Sequence, residues 1–358
     1  MKKVNTHSHP PVWSQWDEEE VFYEKNLFFD SVLERIERAE HYIEFETYLF
    51  EEGHLGRQLL AAFKRASARG VCVRFLVDGV GSFFALSFIE TELRGSRVKF
   101  HIYHPFKLIT PLSKLNKRLH RKVILIDRQI AFVGSFNVIA ENQRDTGMKV
   151  RGESVLILLR SFEKTWRTRW FRKRLLLNRH SLVRINDTRM SRKYFNHDLV
   201  ARLQSAKKRV WVTNPYFVPP MNLLRAFCET AERGVDTCII VPAHSDHRMM
   251  KWLAQGYYKA LLKSGVRILE YEPRFIHAKT ILIDDWATVG TSNFNHRSLI
   301  HDLEVDLVVT KSGSMVSLHN QFEMDANESL KITTNSINKS FFLFLFLRWC
   351  ISFFRSWS

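Results

Sequence analysis

The 358 residues contain four cysteines, Cys72, Cys228, Cys238 and Cys350, and no two of them form a CxxC pair. That scarcity argues against a disulfide framework and predicts reduced, mostly buried thiols. Acidic residues are also short, 37 against 54 lysines and arginines, a net charge of +17. Such a surface attracts polyanions, either nucleic acid or an anionic lipid layer, and charge alone does not choose between them. Near the N-terminus, "NTHSHPPVWSQWDEEE" has no continuous apolar run, so a secretory signal is not expected. His7 and His9 in this Pro-interrupted arm read as solvated rather than metal-binding. At the other end "FFLFLFLRWCISFF", Phe341 to Phe354, is shorter than the ~20 residues of a spanning helix. Its aromatic residues, with Arg348 and Arg355, suit a segment lying in the headgroup boundary of a membrane.

What is present is an ordinary globular body, 45% apolar and 25% charged, long enough for one large domain or two ordinary ones. It is written twice. "ERAEHYIEFETYLF" pairs with "QSAKKRVWVTNPYFV", and "LLAAFKRASARGVCVRFLVDG" with "LLRAFCETAERGVDTCIIVPA". Each reads as helix, Gly-containing turn and strand. "HRKVILID" (His120 to Asp127) then pairs with "HAKTILID" (His277 to Asp284). The offsets, 164 residues at Arg69/Arg233 and 157 at His120/His277, drift little. Strands alternating with helices in both copies predict an α/β fold of two tandem units. The expected division is an arm (1–20), a first unit (21–160), a basic connecting segment (161–195), a second unit (196–330) and the aromatic tail (331–358). Phe162, Trp166 and Trp170 share a helical face in the connecting segment and read as core.

"VILI" and "TILI" predict central strands buried on both faces. In a strand i and i+2 share a face, so His120 points with Lys122 and His277 with Lys279. A second strand then brings Ser135 and Asn137, or Thr291 and Asn293, back beside the His-Lys end. Imidazole, ammonium, hydroxyl and amide groups without a thiolate or carboxylate cluster fit a phosphate better than a metal. One histidine could attack phosphorus while the other protonates the departing alcohol. Asp127 and Asp284 complete the catalytic motif, yet parity turns them away from the histidines. They read as holding the hairpin.

The doubled HxKxxxxD, each followed by Gly-Ser/Thr-x-Asn, resembles the phospholipase D superfamily, from about Glu37 to Val309. "ETYLF", "YHPF", "VTNPYFVPP", "SGVRILEYEPRFIHAKT" and "GTSNFNHRSLIHDLEVDLVV" are similar to bacterial cardiolipin synthases, especially a shorter type without N-terminal transmembrane helices. The resemblance implies two α/β/α sandwich units in a pseudo-twofold bilobal enzyme. It implies phosphatidyl transfer to phosphatidylglycerol from a second phospholipid, through a phosphohistidine, with no metal or cofactor. Family precedent favours His120 as nucleophile and His277 as acid/base. Lys122, Lys279, Asn137 and Asn293 would hold phosphate oxygens, helped by Ser135 and Thr291. A carboxylate downstream of each Gly-Ser/Thr element would orient a histidine: Asp145 in the first copy, Glu304 in the second. The expected location is the cytoplasmic face of the inner membrane, bound peripherally to anionic lipid, with nucleic acid an unlikely partner. The alternatives are a phospholipase D-type phosphodiesterase, hydrolase or nuclease, and a non-catalytic lipid-binding module. Two departures from the pattern stand out. The turn after Asp284 is one residue shorter than that after Asp127, and Arg144 stands where a tryptophan is common.

Overall fold

A computed structural model describes residues 15–105, 117–167, 181–246 and 248–334. The His7/His9 pair, Trp170, Cys350 and the aromatic tail lie outside the described residues. The first sheet is built from β1 (Glu18–Phe22), β2 (Tyr42–Thr47), β3 (Cys72–Asp78), β4 (Lys99–Tyr103), β5 (Val123–Ile126), β6 (Ile130–Gly134) and β7 (Gly147–Arg151). The second contains β8 (Val183–Ile185), β9 (Arg209–Thr213), β10 (Asp236–Pro242), β11 (Arg267–Tyr271), β12 (Thr280–Ile283), β13 (Trp286–Gly290), β14 (Val305–Val308) and β15 (Ser329–Lys331). Their orders are β1-β7-β6-β5-β2-β3-β4 and β15-β11-β10-β9-β12-β13-β14-β8. Removing the edge strands β1, β8 and β15 leaves one topology, found twice, as the repeated sequence implies. In each sheet three strands are parallel (β2, β3, β4 and β9, β10, β11) and the motif hairpin joins them antiparallel.

Period-2 patterning decides which face goes where. Ile43, Phe45, Ile124, Ile126 and Phe132 point outward against α1 (Lys25–Glu37) and α2 (His54–Ala68). Helix α2 carries Leu59, Leu60, Phe63 and Ala66 on its buried face, and the chain then turns at Gly70, whose φ of +96° is in the left-handed region. After α3 (Leu86–Leu93), helix α4 (Val155–Trp166) leads toward the second lobe. There Val210, Val212, Ile281 and Ile283 pack outward with Leu199 and Leu203 of α5 (Arg189–Ser205) and with Leu223 and Phe227 of α6 (Met221–Glu232). Helix α7 (Arg248–Lys263) completes that layer, and the short α8 (His296–Ile300) follows β13.

The inner faces share one core. Leu125, Ala131, Val133 and Met148 of the first sheet join Ile240, Leu282, Val289 and Leu307 of the second, with Phe162 of α4 and Phe322 of α9 (Ser312–Asn327). The two sheets therefore meet through a common interior, and each "ILI" run is buried on both faces. Phe162 is buried in this core and Trp166 packs against it. Cys238 is buried, while Cys72 and Cys228 are partly so; all three are free thiols.

Charges inside that interior are paired. Glu44 and Glu46 face inward from β2. Glu44 binds Arg74 at 2.7 Å, and Arg74 also reaches Glu163 of α4 at 2.6 Å. Glu46 binds the Nε of Arg121 at 2.9 Å, and the Arg121 guanidinium also donates to Thr165 at 2.6 Å and to Ser161. Arg121 is thus the residue between the first His and Lys, and it nails that strand to α4. In the second lobe the equivalent positions are Ala278 and Thr213, both buried and uncharged. This accounts for the one conspicuous difference between the two octapeptides. Arg121→Ala strands Glu46 as a buried, unpaired carboxylate, and should cost about 3–5 kcal/mol. Arg121→Ala combined with Glu46→Thr, which copies the second lobe, should recover most of that loss in chemical denaturation.

Candidate active site

Each motif hairpin is tied at one end and open at the other. Asp127 sits at φ +49° and its carboxylate accepts from the N–H groups of Glu40, His41 and Tyr42 at 3.0, 2.7 and 2.8 Å. Asp284, at φ +51°, does the same for Lys207, Lys208 and Arg209 at 2.9, 2.8 and 3.0 Å. These contacts give both aspartates the hairpin-holding role that strand parity predicts for them. They anchor the entry to β2 and β9, at the end of the strand away from the histidine. The shorter second turn is absorbed there: Asp127–Gln129 link β5 to β6, whereas only Asp284 and Asp285 link β12 to β13. Beyond the turns Val123 pairs with Val133 and Thr280 with Val289. Ser135 and Thr291 consequently keep equivalent places, each N–H donating at 2.9 Å to the adjacent strand, at Thr146 and Val305.

At the open ends the lobes exchange contacts. The His120 N–H donates to the Leu303 carbonyl at 3.1 Å and Leu303 N–H to the Arg118 carbonyl at 2.9 Å. Reciprocally, the N–H groups of His277 and Ala278 donate to the Arg144 carbonyl at 2.8 and 3.0 Å, and Arg144 N–H to the Phe275 carbonyl at 2.9 Å. The side chains cross in the same way. Nδ1 of His120 meets Glu304 at 3.0 Å, and Nδ1 of His277 meets Asp145 at 2.8 Å. The sequence offered one carboxylate per copy; the fold gives each histidine the carboxylate of the other lobe.

Ser135 and Thr291, expected on phosphate, are fully buried behind the imidazoles. Thr291 donates to Glu304 at 2.6 Å, and the Ser135 hydroxyl bonds Asp145 and the backbone of Thr146. The reason is steric. Gly134 and Gly290 bring their strands so close to β7 and β14 that the next hydroxyl faces the neighbouring strand. A Cβ at Gly134 would lie 2.6 Å from the Thr146 carbonyl, and one at Gly290 2.5 Å from Asp306 Cα. Asn137 and Asn293 differ from these hydroxyls. Among the described residues, Oδ1 of each is buried without a hydrogen-bond partner, at equivalent places in the two lobes. A buried acceptor of this kind calls for a partner that the described residues do not supply.

The lysines crowd the centre. Lys122 Nζ lies 3.4 Å from Nε2 of His120 and donates to the His120 carbonyl at 2.9 Å; Lys279 donates to the His277 carbonyl. Burial lowers Lys122 to about 8, and burial together with the Lys122 charge drives Lys279 well below its ordinary value. Burial and both ammonium groups likewise hold His120 well below its usual range and His277 at about 4. Each lysine acts on the histidine of the opposite lobe, so the four groups form one site. An anion bound among them would relieve the repulsion and restore their protons.

The carboxylates are not equivalent. Burial pushes Glu304 up to about 7. Burial would raise Asp145 too, but the His277 imidazole and the Lys279 ammonium outweigh it and hold Asp145 down at about 2.

Sequence reasoning passed over three groups. Tyr48 lies with its ring centroid 5.0 Å from that of His120 and Lys122 above its face. Arg118 N–H is held by Asp302 at 3.1 Å and Leu119 N–H by Asp78 at 2.8 Å, fixing the strand that carries His120. Arg144, read as a substituted tryptophan, pairs through Nε and Nη2 with Asp325 at 3.0 and 2.8 Å. It therefore holds α9 against the backbone that supports His277.

A family model described as "Cardiolipin synthase, PLD-like domain" matches residues 32–175 and 199–326. The chain belongs to this family. A cardiolipin synthase from Clostridium perfringens (strain SM101 / Type A) is 29% identical over 94% of this chain and 76% of its own length. One from Alkalihalophilus pseudofirmus is 32% identical over 87% of this chain and 65% of its own length. Among solved structures, phosphatidylserine synthase from Haemophilus influenzae shares the fold at a TM-score of 0.65, with 13% identity over 89% of this chain and 88% of that one. Polyphosphate kinase from Porphyromonas gingivalis also reaches a TM-score of 0.65, covering 90% of this chain and 49% of its own.

The raised Glu304 gives a signed prediction. From pH 5 to 7 the folded chain keeps a proton that the unfolded chain has released, so stability falls as pH rises through that window. The depressed His120 and His277 oppose this up to about pH 6.5, whereas Asp302, raised to about 7, and Asp306, raised to about 6, reinforce it. Glu304→Gln should therefore be read against the unaltered protein: its melting temperature, relative to that protein's, should rise between pH 5 and 8.

Proposed function

We propose that the chain is a cardiolipin synthase that transfers a phosphatidyl group to phosphatidylglycerol through a phosphohistidine. The observation that carries this reading is the crossed His–carboxylate pair around two crowded lysines, in a chain of the cardiolipin synthase family. A neutral His120 with Nδ1 on its carboxylate presents an Nε2 lone pair, the form a nucleophile needs, while the bound phosphate anion restores a proton to Nε2 of His277. Nε2 of His120 attacks the phosphorus of a phospholipid. The bond to the headgroup oxygen breaks, and that oxygen takes a proton from Nε2 of His277. His277 then takes the proton of the primary hydroxyl of phosphatidylglycerol. The hydroxyl oxygen attacks phosphorus, the P–N bond breaks, and cardiolipin leaves with His120 restored.

The partners of the two histidines support one order. An acid/base must carry a proton for part of the cycle, and an ionised carboxylate stabilises that imidazolium. Asp145 stays ionised at any physiological pH, which favours His277 in that role. Glu304, raised by burial to about 7, stabilises a positive charge on its histidine less than Asp145 does, which suits His120 as the nucleophile. Lys122 and Lys279, with Asn137 and Asn293, surround the phosphoryl oxygens, where fixed positive charge stabilises the transition state most.

The surrounding surface agrees with a lipid substrate. Among the described residues no helix is long and apolar enough to cross a membrane. Positive charge and the aromatic tail would attach the protein peripherally at the cytoplasmic face of the inner membrane. Deleting residues 340–358 should move the protein from the membrane to the soluble fraction; an unchanged distribution refutes that role for the tail.

Incubated with phosphatidylglycerol vesicles, the purified protein should form cardiolipin detectable by mass spectrometry. Free phosphatidic acid as the sole product would make it a hydrolase. Either His120→Ala or His277→Ala should lower turnover by about 10⁴-fold or more. With a phosphatidyl donor whose leaving group is p-nitrophenol, no acid is needed. His277→Ala should then accumulate the phosphatidyl adduct on His120, and His120→Ala should form none. An adduct on His277 instead would reverse the assignment.

A further inference from the structure

Several large apolar side chains are exposed, and most stand alone. Two groups do not. The loop between β3 and α3 shows Phe84 97%, Phe83 48% and Val80 40% exposed. The first turns of α7 show Met249 61% and Trp252 44% exposed, one helical turn apart. Strands β3 and β10 hold the same place in the two sheets, so these groups follow equivalent strand ends on either side of the twofold.

Both groups are tied to the site. Ser82 donates to the Tyr48 carbonyl at 3.0 Å and accepts the Phe50 N–H at 3.0 Å. A Cβ at Gly81 would lie 2.9 Å from the Tyr48 ring, and Asp78 accepts the N–H groups of Val80 and Gly81 at 2.9 and 3.0 Å. Tyr48 is the ring beside His120. In the second lobe the Tyr216 hydroxyl donates to Asp246, just before α7, at 2.6–2.7 Å. Phe275 lies between Tyr216 and His277, with ring centroids 6.4 and 5.8 Å away. The phenylalanine loop is therefore a well-bonded structure that nonetheless turns aromatic rings to water, next to the tyrosine whose ring packs beside His120.

We propose that Val80, Phe83, Phe84, Met249 and Trp252 form a two-sided rim that enters the acyl-chain boundary of an anionic phospholipid bilayer. The cleft between the two sides would then open directly onto the headgroups. This rests on the reading of the substrates as phospholipids, and three observations select a bilayer as occupant. The two groups follow equivalent strand ends, one bonded to Tyr48 beside His120 and the other just after Asp246, the partner of Tyr216. Its residues are of the aromatic and flexible apolar types that settle at a membrane boundary. The chain carries a net charge of +17, which complements an anionic surface. Paired apolar patches around a cleft are the form an interaction face takes, unlike scattered single side chains.

The test reads the rim itself. A photoreactive p-benzoylphenylalanine is placed at position 84, 252 or, as a control, 316. Val316 is 58% exposed on α9, which follows β14 as that strand runs away from the site. Irradiation with vesicles of phosphatidylglycerol and phosphatidylethanolamine should give lipid adducts at 84 and 252 but not at 316. Equal labelling at 316, no lipid adduct at 84 and 252, or cross-links there to a second copy of the chain would overturn the proposal. In parallel, Phe84→Asp with Trp252→Asp should lower turnover on vesicles about tenfold or more relative to turnover on dispersed dihexanoyl phosphatidylglycerol. An unchanged ratio would also overturn it. Should the unaltered protein turn over neither substrate, the proposed function fails, while the labelling still decides the rim.

Discussion

Two imidazole–carboxylate bonds made across the lobes hold this architecture to its purpose. His120 takes Glu304 and His277 takes Asp145, so neither lobe contains a complete half-site. The reciprocal backbone contacts of Leu303 with Arg118 and His120, and of Arg144 with Phe275 and His277, fix the distance over which these bonds can form. Everything nearer the phosphate depends on that fixed frame. Positive charge has been brought together where it is least welcome without a ligand, and only a rigid frame keeps two buried lysines adjacent.

The frame is symmetric but its chemistry is not. Equivalent positions hold Asp145 at about 2 and Glu304 at about 7, although burial pushes both carboxyls up. The difference lies in the neighbours. Asp145 is drawn down by His277 and Lys279, whereas at Glu304 burial outweighs the pull of Lys122, Lys279 and the hydroxyls of Thr291 and Ser298. A duplicated fold thus gives its two histidines carboxylate partners of opposite electrostatic character. The Arg121–Glu46 pair, replaced by Ala278 and Thr213, is a second break in symmetry, confined to the support of the strand rather than its reactive end.

The repeated topology and the strand cores were legible because period-2 patterning and Arg-Gly-Val punctuation leave few alternatives. The His and Lys pairs were legible from i, i+2 parity. What escaped was contact between lobes. No local pattern says that Glu304 crosses to His120, nor that Ser135 and Thr291 turn behind the imidazoles, since both follow from how closely Gly134 and Gly290 let neighbouring strands approach. Arg144 looked like a lost aromatic because its partner Asp325 lies 181 residues away in the chain. Glutamates at 44 and 46, alternating within an apolar strand, were the available signal for inward-facing charge.

Asp127 and Asp284 carry a lesson about descent. Each carboxylate gathers three successive amides at the mouth of a parallel strand, a task that any folded copy of this unit must perform whether or not it retains chemistry. A copy that lost its reaction would be free to discard the histidine and lysine, yet would unravel at the hairpin without the aspartate. Among diverged descendants of this fold, then, a surviving aspartate records ancestry, and the imidazole alone records a trade still practised.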